Sequence, residues 1–246
     1  MPAYNEATTI RQILRRIVQA PFAKEILVVD DGSTDGTREI LGDLHTLQGS
    51  LTEVSPGAPF ELKAFFHERN RGKGAAIRTA LQAIRGEIVL IQDADLEYNP
   101  AEYPRLLEPI LEGKADVVYG SRFVGFPRRV LLFWHTVGNK FLTLVSNMLT
   151  DLNLTDIETG YKAFRADALR QIPLRSHRFD FEPEITAKVA RRGLRVYEVP
   201  ISYAGRTYAE GKKIRWKDDL TALWALVRYG AEKTTLPRTR YPVKFK

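Results

Sequence analysis

The 246-residue chain contains no cysteine. Disulfides and thiolate metal sites are thereby excluded, and the composition fits a reducing compartment. No run approaches the roughly 20 apolar residues that a bilayer-spanning helix needs. Met1 is followed at once by Pro2 and a polar stretch, without the apolar core of a signal peptide. The expectation is a cytoplasmic chain, or one lying peripherally on the cytoplasmic face of a membrane. No internal repeat, low-complexity tract or obvious linker divides it. Acidic residues are scarce only toward the end: positions 201–246 hold 11 Lys/Arg against 4 Asp/Glu, the whole of the net charge of +7. A basic final stretch suits nucleic acid, anionic lipid or phosphorylated substrates, and composition does not choose among them.

What is present is ordinary for a globular protein of one large or two fused domains: 44% hydrophobic and 27% charged residues. The chain is organised around Glu-Ile-Val-Leu-Ile-Gln-Asp-Ala-Asp-Leu-Glu at positions 87–97. Its β-branched run predicts a strand buried on both faces of a parallel sheet. The carboxylates begin where that strand ends, and ligands of open α/β sheets bind beyond the carboxyl ends of strands. Asp93, Asp95 and Glu97 are therefore either a solvated acidic loop or a set that holds a hard divalent cation completed by substrate phosphates.

Around this stretch, strands and helices alternate. A helix is predicted over residues 7–20, with Thr8 or Thr9 near its N-cap and Ile10, Ile13, Leu14, Ile17 and Val18 on one face. No strand is evident before it, which suggests that Met1 lies in or just after a strand whose first residues precede this sequence. The run from Glu25 opens at Asp30 and Asp31 into a turn and a helix from about Thr37. Asp31 is placed to accept from a base or ribose, or to cap; Ser33 to Asp35 read as an N-cap. Residues 47–59 read as a loop. A strand over residues 60–67 feeds Arg-Asn-Arg-Gly-Lys-Gly at 69–74, where glycines and Lys73 could receive a phosphate or simply turn the chain. Pro100 opens a helix ending near Gly113, and a short strand from Ala115 leads to Gly-Ser-Arg at 120–122. Alternation of this kind implies a mostly parallel sheet flanked by helices.

Pro-Ala-Tyr-Asn-Glu (2–6), Val-Asp-Asp-Gly-Ser-Thr-Asp (29–35), Arg-Gly-Lys-Gly (71–74), Asp-Ala-Asp-Leu-Glu (93–97) and Gly-Ser-Arg (120–122), in this order, resemble family 2 glycosyltransferases of GT-A fold. Asp-Ile-Glu-Thr-Gly-Tyr-Lys-Ala-Phe-Arg (156–165) and Glu-Val-Pro-Ile-Ser-Tyr (198–203) are most similar to the dolichol-phosphate mannose synthase branch. The resemblance covers residues 1–230 as one GT-A domain: a nucleotide-sugar half over 1–125, an acceptor half over 126–230, and a basic tail beyond. It implies that Pro2, Tyr4, Glu6, Asp31, Lys73, Asp93 and Ala94 meet the nucleotide. Asp93, Asp95 and Glu97 would hold Mg2+ or Mn2+, and Asp95, Arg122 and Arg206 would carry catalysis beside the phosphates. His135 stands where a synthase relative carries Arg.

Displacing a nucleoside diphosphate builds negative charge on the leaving oxygens, which metal, Lys or Arg stabilises. A hydroxyl acceptor would also need a general base, whereas a polyprenyl phosphate is already anionic. Glu182 and Glu184 are the carboxylates near a late helix, and they equally suit the positive end of its dipole. The expected reaction is inverting transfer of mannose from GDP-mannose to polyprenyl phosphate, with UDP-glucose or a UDP-N-acetylhexosamine as alternative donors. Residues 129–150 form an amphipathic pattern with Phe133, Trp134, Val137, Phe141 and Met148 on one side and Asn139, Thr143 and Ser146 on another. It would lie in a membrane interface, pack on the sheet or make a homo-oligomer contact. A membrane subunit is a further candidate partner. Arg206, Lys212, Lys213, Arg215 and Lys217 form a basic loop suited to closing over phosphates. A non-catalytic nucleotide-sensing or nucleic-acid-binding module is the alternative class; the clustered carboxylates speak against nucleic acid.

Overall fold

The fold is that of a computed structural model, which describes residues 1–55, 57–125, 128–130, 133–178, 180–207 and 216–231, with side chains in the last segment limited to 221–230. Lys212, Lys213 and Arg215, the side chains of Lys217 and Leu220, and the tail from Glu232 lie outside the described residues.

Strand β1 (Pro2–Ala3), two residues long, precedes the first helix, where the sequence suggested that Met1 lies in or just after a strand. It pairs in parallel with β2 (Lys24–Asp30), and the Met1 nitrogen adds a bond to the Leu27 carbonyl at 2.7 Å. Helix α1 (Ile10–Val18) buries the five apolar residues of the predicted stripe. Thr9 occupies its N-cap position, but its hydroxyl donates to the Glu6 carboxylate at 2.6 Å instead of accepting a helix N–H. After β2 come α2 (Thr37–Gly42) and α3 (Leu44–Thr52). The segment read as a loop from Leu47 is thus helical as far as Thr52. Asp43 starts it by accepting from the Thr46 N–H at 3.2 Å, and Leu47 and Leu51 anchor it in the core. Strand β3 (Phe60–Phe66) completes a parallel sheet of order β1-β2-β3.

Helix α4 (Lys73–Leu81) leads to β4 (Ile88–Ile91). A 3-10 turn (Pro100–Glu102) and α5 (Tyr103–Leu111) lead to β5 (Val117–Ser121). Then come α6 (Phe133–Thr150), β6 (Lys162–Arg165), α7 (Ala166–Arg170), α8 (Phe181–Arg191), β7 (Val196–Pro200) and α9 (Trp216–Ala231). The second sheet has the order β4-β6-β5-β7. β5 and β7 run parallel, but β6 inserts antiparallel between β4 and β5. The expectation that β4 is a parallel strand buried on both faces is corrected on both counts. Its bonded neighbour β6 runs against it, and Ile88, Val89 and Leu90 are only half-buried beside an apolar cavity of about 410 Å³. Leu27, Ile77 and Leu107 also line that cavity.

One apolar cluster joins α1, β2, α3 and α5, including Ile13, Leu14, Val28 and Leu106. Another gathers Val117, Phe164, Phe181, Ile185 and Leu226 between the second sheet, α8 and α9. Asp116 ties this side together. Arg195 forks onto it through Nε at 3.0 Å and Nη2 at 2.8 Å, and the Arg195 N–H adds a bond at 2.9 Å. Burial alone would raise the Asp116 carboxyl, but these bonds outweigh it and hold the pKa below the usual carboxylate range. A depressed carboxylate stabilises the fold above its unfolded pKa of about 4, and the contribution is lost as pH falls through its folded pKa. Arg195 is partly exposed, so Asp116→Asn is expected to cost only about 1–3 kcal/mol at pH 7. Urea midpoints of the two proteins should converge on acidification below about pH 4.

Candidate active site

The strand ends converge on a cleft of about 510 Å³. Pro2, Ala3, Tyr4 and Glu6 enter from the end of β1, Asp31 from β2, and Gly72 and Lys73 from the start of α4. Asp93, Ala94, Asp95, Glu97 and Tyr98 follow β4, and Arg122 follows β5. Glu158 and Gly160 come from the connection before β6, Arg178 and Glu182 from around the start of α8, and Tyr203 and Arg206 from the segment after β7. Every residue of the predicted site therefore faces one space. Their partners, however, differ from those the sequence suggests.

Asp31 lines the cleft with both carboxylate oxygens already engaged. It accepts from the Arg71 N–H at 2.9 Å and the Gly72 N–H at 2.7 Å, and its Oδ1 lies 2.6 Å from His67 Nδ1. Its observed work is to fasten the end of β2 to the glycine loop. Asp35 similarly accepts from the Ala7 and Thr37 N–H groups, joining that turn to the approach to α1. For the glycines of 72–74 the sequence left open the approach of a ligand or a plain turn of the chain. They approach the chain itself: the Ala75 N–H donates to the His177 carbonyl at 3.1 Å, and a Cβ on Gly74 would stand 2.5 Å from the Ser176 oxygen.

Lys73 bridges Asp93 at 3.0 Å and Glu182 at 2.9 Å. Burial works to lower its pKa, but the two carboxylates hold it well above the ordinary lysine value, so it stays charged. Arg206 reaches Glu6 at 3.1 Å and Asp95 at 3.2 Å, while its backbone N–H donates to Glu97 at 2.7 Å. The Tyr203 hydroxyl also donates to Glu97, at 2.7 Å. Asp93 is thus drawn to Lys73, while Asp95 and Glu97 share Arg206. Among the described residues no group of three His, Cys, Asp or Glu side chains is placed to hold a metal ion. Glu97 is engaged by the segment after β7, while Asp93 and Asp95 meet Lys73 and Arg206 in the cleft. The Asp95 carboxyl is pushed up to about 7 by burial and by Asp93 and Glu97, with Arg206 opposing.

Arg122 lines the cleft from within a fork on Asp156, with Nε at 2.6 Å and Nη2 at 2.7 Å, and its guanidinium lies 5.0 Å from the Tyr203 ring centre. Asp156 is in turn held by Asn139 of α6 at 3.2 Å. Glu184 does not reach the cleft. Fully buried, it accepts from the Arg175 and Ser176 N–H groups at 2.8 and 2.7 Å and from Lys188, bracing the segment that α4 docks against. The carboxylates the cleft does contain on this side are Glu182 and Glu158. Glu158 was overlooked although it sits inside the quoted 156–165 motif, where an acid between an anchored Asp and a glycine was the available signal.

Parallel strands delivering the predicted site residues to one cleft, with a mixed second sheet beside them, define a GT-A type of α/β fold. The chain belongs to glycosyl transferase family 2, whose model matches residues 1–173. It is 34% identical over 224 residues to an undecaprenyl-phosphate mannosyltransferase of Micrococcus luteus, covering 86% of this chain and 85% of that protein. It is 32% identical to the polyprenol monophosphomannose synthase of Mycolicibacterium smegmatis, covering 86% of this chain and 78% of that one. The glycosyltransferase AglJ of Haloferax volcanii is 32% identical over 83% of this chain, which spans 62% of its length. Among solved structures, glucosyl-3-phosphoglycerate synthase from Mycobacterium tuberculosis, in complex with Mn2+, UDP and glucosyl-3-phosphoglycerate, superposes with a TM-score of 0.67. That likeness covers 95% of this chain and 79% of that one at 19% identity, and it concerns the fold.

Proposed function

We propose that this chain transfers a hexose from a nucleoside-diphosphate donor to a polyprenyl phosphate at a membrane surface, with inversion, and that mannose from GDP-mannose is the first donor to test. The observation that carries the reading is the convergence of Lys73, Arg206, Asp93 and Asp95 in one cleft beyond the strand ends. The polyprenyl-phosphate relatives support the acceptor. Lys73 and Arg206 face the position where a departing diphosphate gathers charge, and preorganised cations there lower the barrier to leaving. Asp31 contributes by holding the glycine loop that carries Lys73. Arg122, fixed by Asp156, contributes shape and positive potential at the acceptor side. A lipid phosphate supplies its own anionic nucleophile and needs no base.

Mg2+ or Mn2+ fits the donor set. Burial, and then crowding by Asp93 and Glu97, raises the Asp95 carboxyl, so two acids share one confined site, and hard cations accept one or two carboxylates plus phosphate oxygens. Asp93 and Asp95 would hold the ion, which would supply charge neutralisation at the diphosphate.

Helix α6 supports the membrane location. Its small polar face is turned inward: Thr143 and Ser146 are buried, and Asn147 bonds the Leu154 carbonyl and N–H. Its apolar stripe is turned outward, with Trp134 at 78% exposure, Met148 at 77% and Phe133 at 70%. Helix α9, packed on α6, adds exposed Trp224 and Val227. No helix among the described residues is long and apolar enough to cross a bilayer. An outward aromatic face on a helix that also carries exposed Lys140 suits the headgroup boundary of an anionic membrane. Trp134→Glu together with Met148→Glu is expected to lower cosedimentation with anionic lipid vesicles by about tenfold or more, leaving donor affinity unchanged.

The deciding experiment is transfer of labelled sugar into lipid-extractable product, comparing GDP-mannose, UDP-glucose and UDP-N-acetylglucosamine with polyprenyl phosphate, in Mg2+ or EDTA. Label that appears from one donor and disappears with EDTA is expected. Label appearing only in a hydroxyl-bearing acceptor would overturn the lipid-phosphate assignment and make Glu182 or Glu158 the base to test.

A further inference from the structure

Most carboxylates facing the cleft have both oxygens near a cation or an N–H donor. Glu158 and Glu182 are different. Glu158 Oε1 and Glu182 Oε2 are out of contact with water and have no hydrogen-bond partner among the described residues. Glu182 is only 3% exposed, and its other oxygen holds Lys73 at 2.9 Å. A buried carboxylate oxygen without a donor is costly, so a site that retains two of them is arranged for donors brought by something else.

The backbone around Glu158 is fixed on both sides. Asp156 is locked by Arg122, and the buried Lys162 ammonium donates to the carbonyls of Ile157, at 3.0 Å, and Thr159. Gly160 follows immediately, and its hydrogen atoms face Asp93: a Cβ there would stand 2.2 Å from Asp93 Oδ2. Glu158 is therefore carried by a braced loop that passes directly beside the carboxylate after β4. Glu158 and Glu182 line the same cleft.

We propose that Glu158 and Glu182 form a carboxylate pair that accepts hydrogen bonds from hydroxyl groups of the transferred sugar and so selects a neutral hexose over a hexuronic acid. The assignment rests on the donor reading given above and extends it to the sugar class. Neutral hexoses carry adjacent hydroxyl donors that satisfy both free oxygens. A uronate would bring a further negative charge into the confined space beside Glu182 and Asp93, where like charges repel. Lys73, shared by Glu182 and Asp93, links this pair to the diphosphate end of the cleft, so sugar and leaving group are positioned by one connected set of side chains.

The test compares equilibrium binding of GDP-mannose with GDP, and of UDP-glucose and UDP-glucuronate with UDP, in wild type, Glu158→Ala and Glu158→Gln. For whichever nucleotide binds, Glu158→Ala should weaken the neutral sugar donor about tenfold or more relative to the free nucleoside diphosphate, whose own affinity stays within about twofold. Glu158→Gln, which keeps one acceptor and sheds the charge, should recover part of that loss and improve UDP-glucuronate relative to UDP-glucose. Thermal melts guard against misfolding, and removing an unpaired buried acid should leave them unchanged or raised. Equal weakening of sugar donor and free diphosphate, or no change in either, would overturn the assignment while leaving the donor reading intact. Wild-type protein that binds none of these nucleotides would overturn both.

Discussion

Gly72→Ala is expected to lower the melting temperature by roughly 6–15 °C and to remove most activity from the protein that remains folded. Gly72 has φ of +94°, a region where a Cβ is strained, and that Cβ would stand 2.3 Å from the His177 carbonyl oxygen and 2.7 Å from Arg178 Cγ. The nearer neighbour is backbone, braced by the buried Glu184 through Arg175 and Ser176, so it cannot swing aside. Strain and forced separation together amount to roughly 3–5 kcal/mol. Lys73 is the next residue, so any shift that relieves the clash draws its ammonium away from Asp93 and Glu182. Gly49→Ala is the control. Gly49 lies within α3 with nothing within 4 Å of its virtual Cβ, and the change should add about 0.5–1 kcal/mol through helix propensity. A Gly72→Ala protein that melts with the wild type would mean that α4 and the 175–178 segment are not packed as described.

The order of elements and the location of the cleft could be read from the chain because both follow from local pattern. Apolar runs such as Val28–Val29 and Val117–Val118 announce strands, and residues that line the cleft follow them. Strand β6 was missed for a physical reason. Lys-Ala-Phe-Arg at 162–165 shows no apolar run, yet Lys162 is 1% exposed, its ammonium folded back onto its own loop and over the Tyr119 ring. Helix α3 was missed because its Gly, Ser and Thr content resembles a turn, and only its burial against α1 reveals it. The roles of individual carboxylates were hidden more deeply. Arg206 meets Glu6 across 200 positions and Asp95 across 111, and Asp31 meets Gly72 across 41. Nothing local distinguishes an acid that will brace a loop, as Glu184 does, from one that lines the cleft, as Glu182 does. Likewise the amphipathic pattern of α6 was visible, but which face turns inward was settled by Asn139 and Asn147 bonding the 154–156 segment.

Asp95→Asn is expected to cut turnover by about a hundredfold or more while leaving the fold as stable as before or more stable. The two effects have one origin. Burial and the neighbouring Asp93 and Glu97 push the Asp95 carboxyl up to about 7, so ionising it in the folded protein is unfavourable. A carboxyl raised in the folded state stabilises the fold below its unfolded pKa, and that contribution disappears as pH rises through the window between about 4 and 7. At pH 7.5 the ionised Asp95 therefore weighs against folding, and its neutral isostere should recover roughly 1–3 kcal/mol. Arg206 does not lose its anchorage in the variant, because Glu6 remains at 3.1 Å and Glu97 at 3.7 Å. An ordinary structural salt bridge behaves oppositely, since breaking a buried pair by removing one partner typically costs about 3–5 kcal/mol. Urea unfolding at pH 5 and pH 7.5, alongside sugar transfer at saturating donor, separates the cases. Wild type and variant should unfold closest together at pH 5 and farthest apart at pH 7.5, with the variant the more stable and the less active. Loss of stability with retained transfer would reduce Asp95 to a tether for Arg206 and remove it from the chemistry of the cleft.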